Sequence, residues 1–363
     1  MSPFVAAIFL LGLSLANAIN FTTVYEWETF DFTWPPESDT SNGRIRQNFN
    51  PTHVHLEYMA VFGERLFLSF DIDYGIPGTL VWLPKSDTST ASPMLQPFPS
   101  LNLHKKENCD TIQWTRGVEA DPEGRLWVLD KGSGRCPSKL WIFDLVNNDT
   151  TDRVHQFPDA VVSHSYYGRE LRDIVLDKTP DDYLAYITDI EANHIVVYSR
   201  KMDKSWSVGT PERAWKSLAL SPNKGQLYLS RYGSNELYSV SVSELKNGGG
   251  SAGWKFIGRW TASPYRMLID SANVLYAAFS YQSEPYLSTW NISEPFLEQR
   301  FHEVGTLDAD WPFTFALDTN GTFWMTQRNE TQGKYNSRHK LLKAAVSARS
   351  YLFGSSKDLS LRG

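Results

Sequence analysis

A strand-like pentapeptide with alternating apolar and aromatic residues recurs six times in this chain of 363 residues. The copies lie roughly 50 residues apart, a spacing typical of propellers and other repeat architectures. They are RLFLS (65–69), RLWVL (125–129), YLAYI (183–187), QLYLS (226–230), VLYAA (274–278) and TFWMT (322–326). Such a repeat constrains the fold strongly, because one short sheet cannot bury both of its faces and needs copies of itself as neighbours.

Each copy carries further strand signals on both sides. An inner strand precedes a turn such as DPEG, SPNKG or DTNG, and a partner strand such as KLWIFDL or ELYSVS follows after a polar loop. Six copies with at least three strands each predict an all-β fold, a six-bladed β-propeller, in which ring closure removes exposed edges. An unclosed sandwich is the alternative. Residues 19–34 alternate like a strand and are expected to complete the last blade, whereas 245–253 (LKNGGGSAG) reads as an exposed inter-strand loop. We expect one domain over 19–363.

The first eighteen residues predict secretion. An apolar stretch ends in Ala16-Asn17-Ala18, a small-x-small cleavage signal, so residues 1–18 are interpreted as a signal peptide. Glycosylation sequons agree with an extracellular location and occur at Asn20, Asn148, Asn291, Asn320 and Asn329. In an oxidising compartment the only two cysteines, Cys109 and Cys136, are expected to form one disulfide. No metal site or cofactor is predicted.

The charge balance argues against two classes of partner. The net charge of −6 is modest and neither end of the chain carries a long run of like charge, so nucleic acid is not an expected partner. No segment beyond the signal peptide approaches the apolar length of a membrane span.

Several ordered motifs together resemble the insect yellow and major royal jelly protein family. They are DYGIPGTL, GVEADPEGRLWVLDKG, CPSKLWIFDL and the later LALSP with LYLS. The resemblance extends over nearly all of the mature chain. The resemblance implies a secreted six-bladed propeller. It also implies one of several family roles: pigment- or cuticle-related function, storage, binding of biogenic amines, or conversion of dopachrome.

The chain departs from the family pattern in two places. Many members have a third cysteine in the turn that reads Pro122-Glu123-Gly124 here, which leaves a single disulfide. Members typically end with an Asn-Phe-Arg stretch near the amine-binding pocket, where this chain has Ser347-Ala348-Arg349. This second departure counts against amine binding, and the ending ARSYLFG is more similar to the eggshell-associated yellow-g branch.

One mouth of the propeller channel is the predicted ligand site. Counting five residues back from each turn acid, or from Ser221 in its place, gives Arg116, Arg172, Lys216, Tyr265 and Phe313. The next residues along are Gly117, Asp173, Ser217, Arg266 and Thr314. A ring of four cations and two aromatics, with one acid, would hold an anionic or phenolic ligand by guanidinium contacts and stacking. The alternative is that the arginines join neighbouring blades through carboxylates and carbonyls.

Two classes of function follow. The leading hypothesis is a secreted, non-catalytic propeller that binds a small aromatic ligand or components of an extracellular layer, such as eggshell or cuticle. The first alternative is an enzyme that converts dopachrome with Asp173 as general base, although nearby arginines would lower the pKa of such a base. The second alternative is a protein that binds biogenic amines.

Overall fold

The computed structural model describes residues 19–34, 49, 54–71, 75–85, 92–246, 248, 250–281, 284–302, 310–330 and 337–353. The predicted signal peptide lies outside the described residues. For a few strand residues only the backbone is described, and these include Phe313 and Asn329.

The described chain forms six four-stranded antiparallel sheets, which confirms the predicted six-bladed propeller. Blades one to three contain β2 (Leu56–Phe62), β3 (Arg65–Phe70), β4 (Leu80–Pro84), β5 (Gln96–Pro97); β6 (Thr115–Ala120), β7 (Arg125–Asp130), β8 (Lys139–Asp144), β9 (Thr150–Gln156); and β10 (Leu171–Lys178), β11 (Tyr183–Asp189), β12 (His194–Ser199), β13 (Lys204–Gly209). Blades four to six contain β14 (Trp215–Leu220), β15 (Gln226–Arg231), β16 (Glu236–Ser241), β17 (Trp254–Arg259); β18 (Pro264–Ile269), β19 (Val274–Tyr281), β20 (Glu284–Asn291), β21 (Gln299–His302); and β22 (Asp310–Leu317), β23 (Thr322–Glu330), β24 (Ser337–Ala345), with β1 (Thr22–Trp27).

The last blade joins the two ends of the folded chain. Strand β1 pairs with β24 in antiparallel register, with Tyr25 opposite Leu341 and Trp27 opposite His339. The expectation that residues 19–34 complete this blade is therefore confirmed for β1. Pairing the first strand with the last one closes the ring and leaves no blade with an unfilled position.

The core lies between blades, where apolar faces of neighbouring sheets meet. Phe98 of blade one packs edge-on against Phe143 of blade two at 5.4 Å between ring centroids. Tyr228 of blade four meets Trp290 of blade five in the same way at 5.5 Å. Aromatic pairs of this geometry add about 0.5–1.5 kcal/mol each beyond the area they bury. The high aromatic content is thus explained by packing between sheets.

The recurring turn acids organise their own turns. Asp121 Oδ1 accepts hydrogen bonds from the amides of Glu123 and Arg125, at 2.9 and 3.1 Å. Asp270 and Asp318 accept equivalent pairs of amide hydrogen bonds. The second oxygen of each carboxylate accepts from an aromatic donor six residues on, as Trp127 does for Asp121 at 2.9 Å. These acids are therefore turn formers of the Asx type.

Two segments outside the blades also bear on the sequence predictions. Cys109 and Cys136 form the predicted disulfide, with 5.1 Å between their Cα atoms.

The predicted loop at 245–253 is more structured than expected. A short helix, α1 (Val242–Lys246), includes its first two residues, and Ser251 forms a parallel bridge with Gly209 of blade three. No helix among the residues that the structure describes is long and apolar enough to span a bilayer.

Acid should destabilise the fold partly through His104. Burial lowers the pKa of this imidazole from 6.5 to about 4, although its hydrogen bond to the Phe98 carbonyl opposes the shift. Between pH 6.5 and 4 the unfolded chain therefore binds a proton here that the native protein does not, so this residue removes stability as the pH falls.

Comparison of His104→Gln with the unchanged protein tests this effect. When the pH falls from 7 to 4.5, the unchanged protein should lose about 2 to 3 kcal/mol more unfolding free energy than His104→Gln does. Denaturant titrations at both pH values measure the difference in unfolding free energy between the two proteins. The same difference at both pH values would contradict the role given to His104.

Candidate ligand site at the axial mouth

A register shift near the start of all six inner strands places equivalent side chains around the axis. It occurs in β2, β6, β10, β14, β18 and β22, and it aligns two positions of each strand across the blades. The first ring of positions contains Glu57, Arg116, Arg172, Lys216, Tyr265 and Phe313. The second ring contains Tyr58, Gly117, Asp173, Ser217, Arg266 and Thr314. The counting from turn acids selected five positions of each ring and missed those of blade one.

Contacts between blades that are not neighbours show that these side chains reach the axis. Arg172 of blade three lies 3.2 Å from Glu57 of blade one. Arg266 of blade five forms an ion pair with Asp173 of blade three, and its guanidinium lies 4.8 Å from the centre of the Tyr58 ring in blade one. Side chains of alternate blades can meet only across the central channel.

The arginines of the first ring are paired with carboxylates. Arg116 is buried and lies 3.0 Å from Glu57 and 2.9 Å from Glu170, while Arg172 contacts Glu170 at 3.0 Å. This arrangement differs from the predicted ring in which Asp173 is the only acid, and it matches the alternative of arginines that join blades through carboxylates. The counting from turn acids did not select Glu57, because the turn of blade one has no aspartate. It did not select Glu170, because this residue lies just before β10.

The carboxylate of Glu170 is the centre of this charge network. Burial by itself would raise its pKa, but the charges of Arg116, Arg172 and Lys131 hold the pKa below its ordinary value. Lys131 forms an ion pair with Glu170, and burial lowers the pKa of that lysine. Asp71 also lies 3.6 Å from Arg116, so the three cations are matched by the three carboxylates Glu57, Asp71 and Glu170.

Asp173 lies in the second ring and is completely buried. Its Oδ2 accepts hydrogen bonds from the Ser217 hydroxyl at 3.0 Å and from the Leu218 amide at 2.9 Å, and its Oδ1 faces Arg266. Burial raises the pKa of this carboxyl, whereas Arg266 lowers it. Both oxygens are engaged, so the geometry suits a structural ion pair better than a general base that must reach a substrate.

Lys216 has a different environment from the other first-ring cations. No carboxylate of the described residues lies within 4.0 Å of its ammonium, which instead lies over two tyrosine rings, 5.3 Å from Tyr232 and 5.7 Å from Tyr265. Burial and the nearby charge of Arg172 lower its pKa to about 8, and the more distant carboxylate of Glu57 opposes this shift. The Lys216 ammonium therefore has no direct ion-pair partner among the described residues.

The remaining predicted residues take no visible part in the charge network. Gly117 lies so close to blade three that a Cβ there would come within 2.8 Å of Ile174. Thr314 is buried and its amide donates to the Thr326 hydroxyl at 3.3 Å. The Phe313 side chain lies outside what the structure describes. The five predicted glycosylation sites remain predictions, and the four with described side chains are exposed: Asn20, Asn148, Asn291 and Asn320.

The opposite end of the channel is covered by the C-terminal segment. Ser350 bridges to Asp270, and the buried Tyr351 hydroxyl accepts a hydrogen bond from the Leu176 amide at 2.8 Å. A cavity of about 30 Å³ remains beneath this segment, lined in part by Glu119, Arg266 and Tyr351. Burial raises the pKa of Glu119 to about 7, against the opposing charge of Arg266. A cavity of this volume is too small for an aromatic ligand.

These features define a closed six-bladed β-propeller with a charged axial mouth, and comparison with known proteins shows which families and folds it is similar to. Residues 115–215 match the family described as Major royal jelly protein. Protein yellow of Drosophila subobscura is 27% identical over 241 residues, which cover 62% of this chain and 41% of that protein. Protein yellow of Drosophila melanogaster is 28% identical over 246 residues, covering 62% of this chain and 43% of that protein.

The chain is thus similar to the yellow and major royal jelly proteins, which agrees with the resemblance of its motifs, and it spans about two fifths of the length of the curated relatives it matches. Solved structures support the fold alone. A proposed gluconolactonase superimposes with a TM-score of 0.55 at 10% identity, covering 92% of this chain and 94% of that one. A luciferin-regenerating enzyme gives 0.51 at 11% identity, covering 84% and 96%.

Proposed function

We propose that this protein is a secreted, non-catalytic yellow-type propeller that binds a small anionic aromatic ligand at its axial mouth. The observation that carries the proposal is Lys216, a cation in the first ring that lies over two tyrosine rings and has no carboxylate within 4.0 Å among the described residues. A carboxylate or phenolate would supply the missing counter-charge, and the tyrosines would contact its ring.

The surroundings of Lys216 favour an anion over an amine. Glu57 and Glu170 are already occupied by Arg116, Arg172 and Lys131, so they offer little to an incoming cation. Tyr232 is 64% exposed, which leaves its ring available for stacking. Catalytic conversion of dopachrome through Asp173 is the less favoured function, because that carboxylate is buried and both of its oxygens accept hydrogen bonds or face Arg266.

Calorimetric titration of the purified protein with indole-2-carboxylate, serotonin and dopamine tests the proposal. Indole-2-carboxylate should bind, and Lys216→Met should weaken binding about tenfold or more, which corresponds to a loss of at least about 1.4 kcal/mol. Binding should also weaken from pH 7 to pH 9, because the ammonium loses its proton as the pH rises through about 8.

Lys255→Met is the matched control, since Lys255 is exposed on the outer strand of blade four, away from the mouth. It should leave the affinity unchanged. Tight amine binding that Lys216→Met does not affect would support amine sequestration instead. Failure of all three compounds to bind would leave a structural role in an eggshell- or cuticle-like layer as the better account.

A further inference from the structure

An open groove on the outer side of blades three and four is a second candidate binding site. Its volume is about 710 Å³, within the range of about 300–1,000 Å³ that small-molecule pockets occupy. The described lining residues are Asn193, His194, Ser207, Gly209, Thr210, Pro211, Gly250, Ser251, Ala252 and Trp254. None of them belongs to the axial mouth.

Backbone contacts between the two blades build the groove. The Gly209 amide at the end of β13 donates to the Gly250 carbonyl at 2.9 Å, and the Ala252 amide donates back to the Gly209 carbonyl at 3.3 Å. A Cβ added at Gly250 would meet no heavy atom within 4 Å, so the space beside this glycine is open. The groove is therefore held by main-chain hydrogen bonds and stays free of side chains at Gly250.

Trp254 gives the groove an aromatic wall. Its ring stacks on the buried Trp215, with 4.9 Å between centroids and 14° between planes. Trp215 covers one face of the indole, and the Nε1 of Trp254 is buried without a hydrogen-bond partner in the described structure, so only the remaining part of the ring lines the groove. Stacking also fixes the orientation of this ring before any ligand arrives, which lowers the entropy cost of binding.

The polar side chains of the groove are an amide, hydroxyls and one imidazole. The described lining contains no Asp, Glu, Lys or Arg. The Asn193 amide is exposed and offers both donors and an acceptor, while the hydroxyls of Ser207 and Ser251 each donate and accept. His194 is held in place, because its Nε2 lies 2.9 Å from the Val161 carbonyl. Thr210 is occupied by Glu212 and Trp215.

We propose that this groove binds a neutral saccharide built of pyranose rings. Such a ligand has an apolar C–H face that can lie on the Trp254 indole and hydroxyls that can exchange hydrogen bonds with Asn193, Ser207 and Ser251. A charged ligand would find no carboxylate, ammonium or guanidinium group among these lining residues. A purely apolar ligand would cover the amide and hydroxyls without replacing their hydrogen bonds to water, which is unfavourable.

Saturation-transfer NMR of the full protein with chitotriose, cellotriose and maltotriose tests the site. At least one of the three should receive saturation and quench tryptophan fluorescence on titration. Asn193→Ala and Trp254→Leu should each weaken that binding about tenfold or more. Thermal unfolding checks that Trp254→Leu still folds, and the exposed Asn193 provides a variant that does not disturb the stacked pair.

Asn147→Ala is the matched control, since Asn147 is an exposed asparagine in a turn of blade two. It should leave saccharide binding unchanged, as should Lys216→Met at the axial mouth. No saturation of any of the three saccharides at millimolar concentration would overturn the proposal. Binding that survives both Asn193→Ala and Trp254→Leu would overturn it equally.

Discussion

Replacement of Arg266 by Met is expected to lower the free energy of unfolding by about 3–5 kcal/mol, the usual effect of removing one partner of a buried ion pair. Arg266 is 5% exposed and Asp173 is fully buried, so the carboxylate left behind would have no solvent to stabilise it. The Ser217 hydroxyl and the Leu218 amide would still donate to Asp173, but they carry no compensating charge. Denaturant titration measures the change.

Arg259→Met is the control for Arg266→Met, because Arg259 pairs with Glu236 on the surface with 62% of its side chain exposed. Surface pairs of this kind contribute about 0–1 kcal/mol. A second change, Asp173→Asn, in the Arg266→Met background should restore part of the lost stability, since it removes the uncompensated charge. Similar small effects of Arg266→Met and Arg259→Met would show that the axial ion pair does not hold the blades together.

Loss of a turn acid should be nearly as costly. Asp121→Ala is expected to reduce the free energy of unfolding by about 3 kcal/mol, because hydrogen bonds to charged groups contribute about 1.5–3 kcal/mol each and are not additive. The carboxylate accepts from the amides of Glu123 and Arg125, from the Arg125 side chain at 2.6 Å and from the Trp127 indole. The buried indole N–H would lose its acceptor, and tryptophan fluorescence during unfolding would report the effect.

Asp144→Ala provides the comparison within the same blade. Asp144 also caps a turn, accepting from the amides of Val146 and Asn147 at 3.0 Å. No aromatic side chain of the described residues donates to it, so its loss should cost about 1 kcal/mol or less. If Asp121→Ala and Asp144→Ala proved equally mild, the repeated acid would serve the turn alone and would not link it to the aromatic core.

The sequence was sufficient for the blades because their signals are local. Alternation in the RLWVL-type strands and the acid at each turn depend on neighbouring residues, so both could be read without tertiary contacts. The same local register located Arg116, Arg172, Lys216 and Arg266 on the axis. It failed for blade one, whose turn contains Gly63 and Glu64 and has neither the aspartate of four other blades nor the Ser221 of blade four, and there it missed Glu57.

The pairing of the axial charges could not be predicted from the sequence. Glu57 and Arg172 are separated by 115 residues, and Asp173 and Arg266 by 93. Which partners meet depends on how the closed ring brings alternate blades together, and no periodic pattern encodes that. The C-terminal segment is a similar case. Ser347-Ala348-Arg349 suggested an altered pocket, whereas the structure uses the following Tyr351 to cover the far end of the channel.

The pairing of β1 with β24 has a consequence for how the protein is made. Some 300 residues separate the two strands, and ribosomes add about 5–20 residues per second. Strand β24 is therefore synthesised about 15 to 60 s after β1. During that time β1, which contains aromatic residues, has no strand with which to form its sheet hydrogen bonds. Any factor that shields Thr22–Trp27 on the nascent chain should therefore raise the yield of the finished ring without changing its stability.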